Sequence, residues 1–206
     1  MPDHSKKKDY QENTMSTQTS QKTYEAYTHA KEVVKAQPPQ IKPGDTIPDV
    51  RLIRLNTKGD PESFSTKKEL SGKLVVLLMV PGPFTPTCSK IHLPGFAALH
   101  DAFKKAGVEK IACIAVSTPD VLSAWGQQND PQGRVGMIAD WGAEFVWKMG
   151  LTIDKSERGL GIVAKRTAMI LQNGIVKDIT VEADAGQCGI TSAASILERI
   201  GSSKAS

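Results

Sequence analysis

Cys88 closes the string MVPGPFTPTC, residues 79–88, and Thr85 and Thr87 stand just before it. A cysteine does chemistry as its thiolate. Pro81, Gly82, Pro83 and Pro86 bend the chain ahead of it, and after Thr87 the residues Ile91, Leu93, Phe96, Leu99, His100 and Phe103 recur with an approximate helical period. Cys88 is therefore predicted in the first turn of a helix, where backbone N–H groups lack intrahelical partners and the macrodipole is positive, which favours the anion. The hydroxyls of Thr85 and Thr87 lie on either side of the loop, able to donate to a sulfur anion or to an oxygen approaching it. His92, one helical turn further on, pairs with Cys88 as a ligand set only if two more ligands exist; none is apparent, so it reads as a supporting or packing residue. A lone cysteine at such a junction is more often a small buried hydrophobe, and only its surroundings raise the nucleophile reading above that one. No acyl-transfer apparatus is visible nearby.

The elements that must position this cysteine are legible on both sides of it. Leu74 to Val80 is a near-continuous apolar run without polar alternation, introduced by Gly72, and predicts a strand buried on both faces. Upstream, Asp49 to Leu55 alternates Val50, Leu52 and Ile53 with charges and reads as an edge strand. Gly59-Asp60-Pro61 reads as a turn, and Ser65 or Thr66 as the cap of a short helix through Leu70. Lys104 and Lys105 fall in the last turn of the cysteine helix, with Gly107 as its stop. Glu109 to Val116 predicts a second buried strand, Ser117 or Thr118 caps a helix with Val121, Leu122 and Trp125, and Val135 to Ala139 is a third strand. A helix containing Trp141, Phe145, Val146 and Met149 follows. Arg166 to Leu171 and Ile175 to Val181 flank Gln172-Asn173-Gly174, a hairpin signal, and Thr191 or Ser192 caps a last helix with Ile196, Leu197 and Ile200. Trp125, Phe145 and Trp147 read as core. Strands alternating with helices give an α/β domain, with no internal repeat.

Composition narrows the function classes. At 206 residues the chain suits one domain with an appendage, and a net charge of +4 with acids and bases interspersed offers no nucleic-acid stripe. No apolar run approaches the ~20 residues of a membrane helix, so a soluble protein is expected. Three cysteines without paired spacing argue against a secreted disulfide framework and for reduced thiols in a cytosol-like compartment. Residues 1–40 are polar, carry Lys6-Lys7-Lys8 and are expected to be a flexible extension, in which Tyr24, Tyr27 and Val34 share one face of a short helix between Thr23 and Lys35. Residues 41–206 form the domain proper. There is no h-region of a signal peptide, and acids with no arginine before Arg51 disfavour a mitochondrial transit peptide. The expected location is cytoplasmic, organellar targeting being left open.

Pro81, Thr85 and Cys88, spaced as P-x-x-x-T-x-x-C and followed by SKIHLPGF, resemble the active-site signature of peroxiredoxins. The longer string VPGPFTPTCSKIHLPGF is similar to the atypical type II, peroxiredoxin-5-like branch. The likeness continues through IKPGDTIPDV, ACIAVSTPDVLSAWG and NGIVKDITVE, roughly from Ile41 to Ile200. The resemblance implies a thioredoxin-like fold with a central mixed sheet flanked by helices, and no cofactor or metal. It also implies reduction of hydrogen peroxide and alkyl hydroperoxides by Cys88, which becomes a sulfenic acid. In the family a threonine hydroxyl, loop amides and an arginine stabilise the departing oxygen; these map onto Thr85, the Cys88 region and Arg166, the last because KRTAMILQNGIVK resembles the family segment. Pro81 then packs over the cysteine and shields it from overoxidation.

The return of the sulfur to its thiol form is less determined. Cys113 has the spacing from Cys88 found in plant-type members but lies mid-strand, whereas Cys188 lies in the Gly186-Gln187-Cys188-Gly189 loop, an exposed setting near the animal-type resolving position and displaced from it by two residues. Cys188 is preferred. A one-cysteine cycle reset by thioredoxin, glutaredoxin or glutathione stays open, and a homodimer is implied by the family. Pro83 and Thr167 depart from the family pattern and are expected to reshape the pocket mouth. A disulfide oxidoreductase would show C-x-x-C, which is absent; a peroxide sensor relaying oxidation to a partner needs the same cysteine chemistry and is the alternative. A purely structural binding module would keep its function without Cys88.

Overall fold

The unbroken apolar run that begins at Leu74 dictates a core on each face of one sheet. Successive side chains of a strand point to opposite faces, so Val76, Leu78 and Val80 join one cluster and Val75, Leu77 and Met79 the other. A computed structural model describes residues 30–71 and 74–202. The expectations for Lys6-Lys7-Lys8, Tyr24, Tyr27 and Gly72 fall outside the described residues.

A helix at 30–35 (α1) leads in, and its Val33 carbonyl accepts a hydrogen bond from Trp147 Nε1 at 3.0 Å. Strands β1 (Arg51–Leu55) and β2 (Pro61–Ser65) form an antiparallel hairpin, after which Ser65 caps α2 (Thr66–Leu70) by accepting from the Lys68 N–H. Strand β3 (Leu74–Met79) feeds the cysteine loop, a π-helical turn (Cys88–His92), α3 (Leu93–Ala98) and α4 (His100–Lys105). Then come β4 (Lys110–Ala115), α5 (Pro119–Asn129), capped by Thr118, β5 (Gly136–Ala139) and α6 (Glu144–Lys148). A small two-stranded sheet, β6 (Thr152–Asp154) with β7 (Ile162–Ala164), precedes the hairpin β8 (Thr167–Gln172) and β9 (Ile175–Val181); α7 (Ala193–Ser202) ends the described chain.

The main sheet has the order β2-β1-β5-β4-β3-β8-β9, with β3 parallel to β4 and antiparallel to β8. The expected mixed sheet flanked by helices is therefore observed, and β3 sits deep within it. Cys88, Phe96, Phe103, Trp125 and Ile196 cover one face, while Phe145, Val146 and Met149 cover the other. Leu77 has no exposed surface. Leu77→Ala is expected to cost about 2–5 kcal/mol, read as a lower urea midpoint at unchanged slope.

Several sequence expectations need correction. β1 is not an edge strand, because β2 pairs with it in full register and takes the edge position; the segment PESFS is too polar and short to announce itself, and its proline sits where a strand may begin. Trp141 is outside α6 and 67% exposed, since the left-handed backbone of Ala143 (φ 57°) starts the helix only afterwards. Val121 lies on the outer face of α5, 42% exposed. The β6–β7 pair gave no periodic signal at three residues per strand. The Asn-Gly hairpin is as read: Asn173 and Gly174 have φ of 55° and 73°, the two positive angles of a type I′ turn.

Candidate active site

Helical backbone starts at Pro86, so Cys88 does stand in a first turn, but the turn is wider than α. The Leu93 N–H bonds back to Cys88 O, a five-residue step that inserts one extra residue into the helix. Cys88, His92 and Leu93 consequently all face inward, and Ile91, which an unbroken helical period would place on the apolar face, is 55% exposed. Trp125 on α5 braces this turn by donating from Nε1 to Ser89 Oγ at 2.9 Å.

Opposite the turn, Arg166 lies between β7 and β8, with its guanidinium almost wholly buried (1% exposed). Its Nη2 donates to Cys88 Sγ at 3.4 Å and to Ala185 O at 2.7 Å, Nε donates to Ala185 O at 3.1 Å, and Nη1 donates to His92 Nδ1 at 3.1 Å. A guanidinium is a planar fork of donors that stays charged, so one side chain holds the sulfur, an imidazole and a loop carbonyl at once. Because arginine only donates, His92 Nδ1 is the acceptor and Nε2 carries the proton, which it gives to Thr191 O at 3.1 Å. His92 was legible as a supporting or packing residue; its part in fixing the arginine appears when the π turn points it inward.

Burial, and then the neighbouring guanidinium, pull the His92 pKa down to about 3. A base whose folded pKa lies below its unfolded value, near 6.5, leaves the unfolded chain binding more protons between those two pH values. Stability must then fall as pH drops from about 6.5 towards 3. His92→Gln is expected to show a shallower loss of melting temperature over that window than the wild type, a comparison in which the carboxylates common to both cancel.

Thr85 and Thr87 do not donate to the sulfur as the sequence suggested. Thr85 Oγ1 donates to Gly82 O at 2.8 Å, and Thr87 Oγ1 donates to Gly186 O at 2.8 Å, because carbonyls of the bent loop and of its neighbour lie nearer. The Thr85 oxygen keeps its lone pairs and can accept. Pro81 is buried, whereas Pro86 is exposed. Together with Arg166, Ala185 and Gly186 they line a cleft of about 210 Å³. Cys88 itself has no exposed surface, and Arg166 is what joins the cleft to its sulfur. Neither Pro83 nor Thr167 lines this mouth, contrary to expectation; Thr167 is fully buried.

The other two thiols differ sharply. Cys113 sits mid-strand opposite Leu78, fully buried, and burial pushes its thiol far up. Cys188 is half-buried rather than exposed, with its thiol raised by burial and partly offset by the Thr191 hydroxyl 3.9 Å away. Its loop is fastened at three points: Arg166 holds Ala185 O, Thr87 holds Gly186 O, and Glu182 Oε1 accepts from the N–H groups of Gly189 (2.7 Å) and Thr191 (3.0 Å). Glu182, a buried acid at the end of β9, was not singled out in the sequence, where nothing distinguishes it from a surface carboxylate. Among the described residues no group of three or more His, Cys, Asp or Glu side chains is placed to hold a metal, and no helix is long and apolar enough to cross a membrane.

Comparison with known proteins agrees with this arrangement. The Redoxin family model matches residues 42–197. Peroxiredoxin-2D of Arabidopsis thaliana is 35% identical over 160 residues, covering 78% of this chain and 98% of its own length. Among solved structures, reduced Prx3 of Vibrio vulnificus in complex with H2O2 superposes with a TM-score of 0.75 at 36% identity, covering 80% of this chain and 99% of that one. Peroxiredoxin 5 of Alvinella pompejana gives a TM-score of 0.69 at 31% identity, with 79% and 99% covered. A buried cysteine on a π turn and a Redoxin match across most of the sequence lead to one conclusion: this chain belongs to the peroxiredoxins, thiol-dependent peroxidases of thioredoxin-like fold, and is compatible with their type II, peroxiredoxin-5-like branch.

Proposed function

We propose that Cys88 is the thiolate that attacks the peroxide, with Arg166, Thr85 and Pro81 as its site and Cys188 as the partner that resolves it. The observation that carries this reading is the 3.4 Å donation from the buried Arg166 Nη2 to Cys88 Sγ. The sulfur anion attacks one oxygen of ROOH, the O–O bond breaks, and the departing RO⁻ takes a proton to leave as water or alcohol. Sulfur keeps the transferred oxygen as S–OH, oxidised by two electrons. Negative charge moves from sulfur to the departing oxygen, so a fixed guanidinium between cleft and sulfur stabilises both ends of that transfer. Thr85 Oγ1, its own proton given to Gly82 O, accepts from the hydroperoxide O–H and orients it. Pro81 restricts water at the sulfur.

The sulfenic acid then condenses with a thiol, releasing water and forming a disulfide that a second thiol reduces. Cys188 is the better placed internal candidate: its loop is tied to Arg166 and Thr87, whereas Cys113 is locked into β4. In this proposal the Cys188 loop leaves those ties to bring its sulfur to Cys88. An external thiol of the thioredoxin, glutaredoxin or glutathione kind completes the cycle and takes over the resolving step if the loop stays closed. The three cysteines are unpaired, which suits a reducing, cytoplasmic setting. A homodimer belongs to the proposal, with the exposed rings of Phe84 and Trp141 as apolar surface for association; sedimentation velocity reads it. Residues 1–40 are proposed as an extension appended to the catalytic domain 41–206.

Turnover tests the reading against that of a sensor. With dithiothreitol present, the protein is expected to consume many equivalents of hydrogen peroxide per chain; a reaction that halts after one equivalent would instead describe a relay awaiting its partner.

A further inference from the structure

The cleft above Arg166 carries more positive charge than hydrogen peroxide needs. Three cationic side chains, Lys155, Arg158 and Arg166, line it, and none of its described lining residues is acidic. Arg166 is occupied with the sulfur, His92 and Ala185. Lys155 and Arg158 lie farther out, on the excursion between β6 and β7, and have no such bond to the reacting sulfur.

That excursion is a built element. Lys155 N–H donates to Gly161 O at 2.7 Å, Arg158 N–H and Leu160 N–H donate to Lys155 O at 2.9 and 3.2 Å, and Ser156–Arg158 is a 3-10 turn. Gly159 and Gly161 take the left-handed backbone that closes it, with φ of 71° and 66°. Of the neighbouring carboxylates, Asp154 Oδ1 accepts from Ser156 N–H and Asp184 Oδ1 from Gly186 N–H, and the exposed Glu157 between the two cations is not among the cleft's lining residues. Beside the three cations the cleft is lined by the apolar Pro81, Pro86, Leu160 and Ala185, with Thr85, Thr87 and Gly186 completing it. Cations at the rim, an aliphatic wall, and a reacting sulfur beyond Arg166 fit a molecule with a short hydrocarbon stem and a carboxylate at the far end from its reactive group.

Resting on the peroxidase reading, we infer that Lys155 and Arg158 select carboxylate-bearing substrates at this mouth. The carboxylate comes either from an organic hydroperoxide or from the thiol reductant. Both meet the same two cations, and a low-dielectric cleft focuses their field on whatever enters.

Charge-matched pairs separate the two sources. In the peroxide arm, γ-hydroperoxyisocaproate is compared with its methyl ester; in the thiol arm, β-mercaptopropionate is compared with its methyl ester, each rate being expressed per thiolate. Wild type and the double variant Lys155→Met/Arg158→Met are measured at low ionic strength and again in about 0.3 M salt, where screening shortens the reach of exposed charges. Wild type is expected to prefer the anion by about 10-fold in kcat/KM in at least one arm, a typical size for electrostatic steering. The double variant and high salt should bring that ratio to within about 2-fold of unity. The arm that shows the preference names the source, and a preference in both assigns the cleft to both. Equal anion-to-ester ratios in wild type and double variant, in both arms, would overturn the inference. Failure of the underlying reading looks different, because wild type would then stop at or before one equivalent of hydrogen peroxide with dithiothreitol present.

Discussion

Cys88→Ser is expected to lower peroxide consumption by at least about 10⁴-fold, a modest share of the acceleration enzymes achieve over uncatalysed reactions. A serine hydroxyl is not ionised at neutral pH and is a poor nucleophile toward an O–O bond, so what remains is adventitious reaction at the other thiols. The fold should persist. Cys88 is fully buried, yet its neighbour Arg166 Nη2 finds the serine oxygen as ready an acceptor as the sulfur, so the swap orphans no donor. Peroxide consumption by stopped flow, beside a thermal melt, reads both halves of this statement. Turnover retained in Cys88→Ser would remove the cysteine from the mechanism altogether.

Arg166→Met is expected to be the next most damaging change, costing about 10²–10³-fold in kcat/KM for hydrogen peroxide, the usual loss when one preorganised donor to a developing anion is removed. Stability should suffer as well. Ala185 O loses both donors and His92 Nδ1 loses its partner, and each buried polar group left unpaired costs about 1–3 kcal/mol. Arg166→Lys separates charge from geometry: an ammonium keeps the positive charge but cannot span Cys88, His92 and Ala185 together. It should recover a part of the rate and less of the stability. If Arg166→Lys matched wild type in both, the fork would be irrelevant and only the charge would matter.

How far the sequence carries this account differs from part to part. β3, β4 and the Asn173-Gly174 hairpin were readable because burial on both faces and positive φ leave strong local marks. The edge strand β2 and the β6–β7 pair were not, since five residues with Phe64 as their one large apolar side chain, or strands of three, carry no period. At the site, the string around Cys88 and the KRTAMILQNGIVK segment, far apart in sequence, singled out the proposed nucleophile and Arg166, which meet at 3.4 Å. What stayed hidden was the role of side chains that act only through long-range contacts. His92 faces the arginine because a single inserted residue widens the helix, an event no apolar spacing announces. Glu182 becomes a loop anchor only once β9 brings it beside Gly189 and Thr191. Thr87 likewise looked like a donor to sulfur until folding offered it Gly186 O. Lys155 and Arg158 gave no signal at all, being two charges among many until β7 carried them to the cleft.

The central claim is that oxidation by peroxide begins at Cys88, and single-turnover trapping tests it most directly. Cys188→Ser protein is mixed with one equivalent of hydrogen peroxide in the presence of dimedone, then digested and mapped by mass spectrometry. The account predicts that the peroxide disappears and that close to one dimedone adduct per chain sits on Cys88, with Cys113 unlabelled. Peroxide left unconsumed, or an adduct on Cys113 with Cys88 untouched, would contradict it.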